Sequence, residues 1–125
     1  MRIFIVDDAP ELRARVRQAV AALPAAEVVG EACDAATAIL GIGRTEPDVV
    51  VLDVVFPHGG GRAVLDVLRA SAAPPVVLVL TNHPEPEYRD FFLRRGAAGV
   101  FDKSLEFESF VAALADLARA RAAVS

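Results

Sequence analysis

Five short apolar runs, Ile3–Val6, Val28–Ala32, Val49–Leu52, Val76–Leu80 and Val100–Phe101, alternate along the chain with stretches whose apolar residues recur at helical spacing. A strand followed by a helix, five times over, constrains the fold tightly. Parallel neighbours need long crossovers, and these are right-handed and cover both faces of the sheet with helices. The expected class is α/β, a doubly wound five-stranded parallel sheet.

The helices have readable faces and ends. Leu12, Val16, Ala19, Val20 and Leu23 line one side of the first, with Pro10 at its start and Pro24 at its stop. Asp34 caps a second helix expected to end near Ile42, short and weak because of Gly41 and Gly43. A third is expected from about Arg62 to Ala70, and a fourth from about Glu85 or Pro86 to Arg95, stopped by Gly96. The fifth is expected after Ser104 as N-cap, with Glu106 and Glu108 in its first turn and Phe107, Phe110, Val111, Leu114 and Leu117 on its apolar face.

The alternation occupies all 125 residues, so one domain spanning 1–125 is expected. The net charge of −4 is scattered, with no basic stripe of the kind that grips phosphates, so direct nucleic-acid binding is not expected. The longest apolar run, residues 74–80, is strand-sized rather than membrane-spanning, and residues 1–6 are too short for a signal peptide. Cys33 is the one cysteine, which excludes an internal disulfide and a cysteine metal cluster. It is expected to be a small core hydrophobe. A cytoplasmic location follows from these features as an expectation.

The greasiest run, Val49–Leu52, meets a carboxylate, Asp53. In a parallel sheet every strand C-terminus lies on one edge, where ligands bind. The polar residues there are Asp7 and Asp8 after the first strand, Asp53 after the third, Thr81 after the fourth and Lys103 after the fifth. Asp7 and Asp8 could by themselves be helix-capping acids. Converging with Asp53, they repel: at about 5 Å and an effective dielectric near 20, each pair costs about 3 kcal/mol. A proton or a cation must relieve this. Lys103, the only lysine among 13 basic residues, leaves a cluster charge of −2, which one divalent ion neutralises. Oxygen ligands without His or Cys favour Mg²⁺ or Mn²⁺ over Zn²⁺. An aspartate held still at the end of a buried strand, beside a metal, is suited to act as an oxygen nucleophile for phosphoryl transfer. Thr81 and the compact ammonium of Lys103 are placed to receive the added charge.

This ordered set resembles the receiver domain of bacterial two-component response regulators. The matching residues are Asp7–Asp8 in IFIVDD, Asp53 in VVVLDVVFP with Pro57 and Gly61 beyond it, Thr81 in LVLTN and Lys103 in FDKS. The resemblance covers the whole chain and implies the flavodoxin-like strand order 2-1-3-4-5. It implies that Asp53 is the phosphoacceptor. Asp8, Asp53 and the backbone carbonyl of Val55 would ligate Mg²⁺, Asp7 would act through water, and Thr81 and Lys103 would grip the phosphoryl oxygens. The phosphate would come from a histidine kinase, a phosphotransfer protein or a small phosphodonor. Such a domain is not an enzyme in its own right; it would act as a monomer or weak homodimer through a downstream protein partner that the sequence does not identify.

Three departures from the family pattern bear on behaviour. Val100 stands where the family commonly has Tyr or Phe, and strand alternation turns Phe101 to the other face, so Tyr88 or the Phe91–Phe92 pair is expected to carry the readout. Ser104 stands where many receivers carry a cis proline. Val55 and His83 occupy the two positions that flank attacking water, and valine cannot orient water. Slow self-dephosphorylation is therefore expected unless His83 assists; loss of the phosphoryl group within seconds at neutral pH would contradict it. Gly59–Gly61 lacks the Gly-Lys-Ser/Thr ending of a nucleotide-binding loop and is expected to be a mobile loop, with His58 solvated.

Other readings differ in their tests. An aspartyl-phosphate hydrolase usually has a second acid two residues past its nucleophile, where this chain has Val55, and it would turn over a phosphomonoester repeatedly. A flavin carrier would be coloured when purified, and Asp7–Asp8 would repel its phosphate. A receiver fragment of a longer regulator, for example a DNA-binding one, is separated by the intact gene boundary.

Overall fold

The computed structural model describes residues 1–53, 60–82 and 85–124. Strands and helices alternate throughout: β1 (Arg2–Val6), α1 (Pro10–Ala21), β2 (Glu27–Ala32), α2 (Ala35–Thr45), β3 (Val49–Asp53), α3 (Gly60–Arg69), β4 (Val76–Thr81), α4 (Pro86–Arg94), β5 (Gly99–Asp102) and α5 (Phe107–Val124). The strands form one parallel sheet in the order β2-β1-β3-β4-β5, as the resemblance implied.

Side-chain alternation along the strands divides the core in two. Phe4, Val6, Val50, Leu52, Val77, Val79 and Val100 face α2, α3 and α4, against Ala38, Ile42, Val64, Leu65, Leu68 and Phe92. Ile3, Ile5, Val49, Val51, Leu78 and Leu80 face α1 and α5, against Leu12, Val16, Val20, Phe110 and Leu114. All five residues of β3 are buried, which explains its unbroken apolar run. Val100 packs on the α4 side, while Phe101 turns to α5 and meets the Phe110 ring edge-on at 6.0 Å.

Several local expectations are corrected. The second helix is not short: it runs to Thr45, capped by the Asp34 carboxylate accepting from Thr37 N–H at 2.8 Å. Gly41 does not weaken it idly, because a Cβ there would come within 2.7 Å of the Phe4 ring. Gly30 on β2 closes on the same ring, where a Cβ would sit at 2.5 Å. The buried phenyl therefore selects glycine in both elements. Gly30→Val is expected to cost about 1–3 kcal/mol through overpacking, although valine favours strands; an unchanged melting temperature would overturn this.

Cys33 is exposed, because edge strand β2 ends at Ala32 and Cys33 stands in the turn before the Asp34 cap. Gly60 and Gly61 belong to the buried first turn of α3 rather than to a loop. Ser104 does not cap the fifth helix: α5 starts at Phe107, after a turn organised by Asp102. Gly96 ends α4 as expected, at φ +101°. Val55, Pro57, His58, Gly59 and His83 lie outside the described residues.

Candidate functional site

Strand register brings the distant polar residues together. Val6 is level with Leu52, so Asp7 and Asp53 emerge side by side from the two central strands. Asp53 is level with Leu80, which puts Thr81 one step beyond it. Thr81 pairs with Asp102, and the Lys103 N–H donates to the Thr81 carbonyl at 2.9 Å. The five residues read from strand ends thus converge on one edge. Asp7, Asp53 and Thr81 are buried, at 2, 3 and 0 % exposure, whereas Asp8 is exposed at the approach to α1.

Charge governs this edge. Among the described residues, one carboxylate oxygen each from Asp7, Asp8 and Asp53 lies within 4.8 Å of the others. The Lys103 ammonium lies 2.9 Å from Asp7 Oδ2 and 3.1 Å from Asp53 Oδ2. Burial alone would lower the lysine pKa; the close carboxylates of Asp7 and Asp53 outweigh it and leave the pKa raised. Lys103 therefore stays charged at neutral pH.

Asp7 is held from two sides. Its Oδ1 accepts from Ala9 N–H at 2.8 Å, and its backbone carbonyl accepts from Arg13 at 2.7 Å. Its Oδ2 is buried without a hydrogen-bond partner, although the ammonium is near. The contact satisfies charge but not the direction of a hydrogen bond. An orphaned carboxylate oxygen among three acids with a residual charge of −2 fits a hard divalent cation, and the oxygen-only donor set suits Mg²⁺. Cavities of about 700 and 790 Å³ lie near Asp48, off the strand N-termini, and take no part in this site.

Strand-end reasoning missed three residues around Lys103. The Asp102 carboxylate accepts from Ser104 N–H at 2.7 Å and Leu105 N–H at 3.0 Å. Glu106 Oε1 accepts from Asp102 N–H at 3.0 Å and from the Arg89 guanidinium, which also donates to the Val100 carbonyl at 2.7 Å. The hydrogen bond from Arg89, then that from Asp102 N–H, holds the Glu106 pKa below the usual carboxylate range. Asp102 was legible as a turn-forming aspartate. The partnership between Arg89 and Glu106 had no signal in one dimension.

Comparison with known proteins agrees with this fold. Residues 3–115 match the family described as the response regulator receiver domain. The chain is 34% identical over 125 residues to Probable transcriptional regulatory protein NarL of Mycobacterium tuberculosis, covering all of this chain and 58% of that protein. It is 36% identical over 104 residues to a protein-glutamate methylesterase/protein-glutamine glutaminase of Myxococcus xanthus, covering 82% of this chain and 30% of that protein. The signal receiver domain of NarL from M. tuberculosis superposes with a TM-score of 0.83 at 35% identity, over 94% of this chain and 95% of that one. The chain thus spans well under two thirds of the length of these curated relatives. Among the described residues, no helix is long and apolar enough to cross a membrane.

Proposed function

This chain belongs to the response regulator receiver domain family, and on that premise we propose that it is a Mg²⁺-dependent phosphoacceptor switch, phosphorylated on Asp53 by a histidine kinase or phosphotransfer protein. The observation that carries the reading is the contact of one half-buried lysine with two buried aspartates, 2.9 and 3.1 Å away, with a third acid beside them.

In the proposed reaction an Asp53 carboxylate oxygen attacks phosphorus, an acyl phosphate bond forms, and the bond to the donor's leaving group breaks. Asp7, Asp8, Asp53 and the Val55 carbonyl would hold the metal, Asp7 through water. Bound there, Mg²⁺ supplies charge neutralisation between the carboxylates and the incoming phosphoryl group. The Lys103 ammonium would move from pairing two carboxylates to pairing a phosphoryl oxygen, and the Thr81 hydroxyl would donate to another. Asp53 cannot swing away, because all five residues of its strand are buried.

The product is a changed surface rather than a released molecule. We read residues 1–125 as one cytoplasmic signalling unit, not an enzyme, a monomer or weak homodimer that contacts a protein partner and no nucleic acid. A second reading rests on the span of the relatives: the receiver part of a longer regulator. Intact mass after incubation with acetyl phosphate and Mg²⁺ tests the shared claim. One added phosphoryl group is expected, and none when EDTA removes the metal; equal labelling with EDTA would overturn the metal's role.

A further inference from the structure

Lys103 is aimed by a small closed turn whose outer anchor is on another helix. The turn begins at Asp102, whose carboxylate accepts from Ser104 and Leu105 N–H, and ends at Glu106, whose N–H donates to the Asp102 carbonyl at 3.0 Å. Glu106 Oε1 returns to accept from Asp102 N–H. The five backbone N–H groups from Asp102 to Glu106 are thus tied through Asp102, Glu106 and the Thr81 carbonyl. Arg89 of α4 then clamps the turn from outside. One arm of its guanidinium binds the Glu106 oxygen that holds Asp102, and the other binds the Val100 carbonyl just before the turn. A planar fork suits this task, since it engages two acceptors at once.

We propose that Arg89 is a positioning residue of the phosphorylation site: through Glu106 and the Val100 carbonyl it fixes the turn that aims Lys103, and so ties α4 to the charge on Asp53. This rests on the phosphoacceptor reading above. It also supplies what Val100 cannot, because a side chain of that size, buried on the α4 side of the sheet, has no ring to swing between the site and α4. When Lys103 exchanges a carboxylate for a phosphoryl oxygen, any shift of its turn is passed to α4 through the guanidinium rather than through an aromatic ring.

The test uses the full chain, acetyl phosphate and Mg²⁺, with initial labelling rates from intact mass and Mg²⁺ affinity from calorimetry. Arg89→Met is expected to label about tenfold more slowly at saturating Mg²⁺, with Mg²⁺ affinity within about twofold of the unmodified chain, since neither Glu106 nor the Val100 carbonyl, the two acceptors it clamps, is a metal ligand; Arg89→Lys, able to reach one acceptor, recovers part of the rate. Labelling of Arg89→Met at the unmodified rate overturns the proposal, and so does an equal loss of rate and Mg²⁺ affinity, which marks general loosening. If Arg89→Met does not fold, Glu106→Gln decides: it keeps an acceptor for Asp102 N–H and loses the charge, so slower labelling supports the proposal and an unchanged rate overturns it. Failure of the unmodified chain to label overturns the phosphoacceptor reading itself, a result distinct from normal labelling in the variants.

Discussion

Asp53→Ala is expected to take up no phosphoryl group from acetyl phosphate and Mg²⁺, under conditions in which the unmodified chain gains one. Three carboxylates share the site, so the expectation depends on why only one is the nucleophile. Asp7 Oδ1 is committed to Ala9 N–H, and its carbonyl to Arg13, which turns it back toward the start of α1. Asp8 is exposed and sits at the edge of the group. Asp53 alone ends a strand buried along its whole length, between the strands that deliver Asp7 and Thr81. The effect should be a loss of at least about 100-fold, the scale on which removal of a covalent nucleophile differs from disturbance of its surroundings. Unfolding will not mimic it. Removing Asp53 takes the cluster charge from −2 to −1 and leaves Asp7 paired with Lys103, so the variant should melt at or above the temperature of the unmodified chain. Labelling of Asp53→Ala to the normal extent, by intact mass, would end the assignment.

Lys103→Met should have the largest effect on stability. Removing one partner of a buried ion pair typically costs about 3–5 kcal/mol, because the other charge is left uncompensated. Here two carboxylates lose one ammonium, but Asp8 is exposed and water reaches the site, so about 2–3 kcal/mol is expected without Mg²⁺. That corresponds to a melting temperature lower by about 10 °C for a domain of this size. Mg²⁺ should restore much of the loss, since its two charges replace the one removed and binding only the folded state stabilises it. The sign of the pH dependence follows from the raised lysine pKa. The contribution of Lys103 is complete below its ordinary value of 10.5 and is lost only as pH rises through the raised value. The difference between the two chains should therefore be the same at about pH 7 and pH 9 on the lysine's account. A variant as stable as the parent in EDTA would show that the carboxylates do not need the ammonium.

Much of the site was legible because the chemistry sits where strands end. A run such as Val49–Leu52 announces burial, and a carboxylate directly after it announces a reason to stop. Reading the same position after each strand gives Asp7, Asp8, Asp53, Thr81 and Lys103, and the register of the sheet brings those residues together. Helix boundaries were less legible. Asp102 competes with Ser104 for the backbone N–H groups before α5, and the competition is decided by where β5 delivers its last residue.

What the sequence by itself determined is periodic: five strands, five helices, two apolar faces and a polar edge. Such features depend on residues near one another in the chain, and repetition makes them readable. What only the tertiary structure decided is specific pairing between distant elements. Gly30 and Gly41 look like weaknesses until the Phe4 ring is found between them. Cys33 looks like core until the turn between Ala32 and the Asp34 cap leaves it at the surface. Arg89 looks like one of many surface arginines until α4 lays it across Glu106 and the Val100 carbonyl. A close approach or a hydrogen bond depends on distances of a few tenths of an ångström, and those are set only when the whole sheet and its helices have packed.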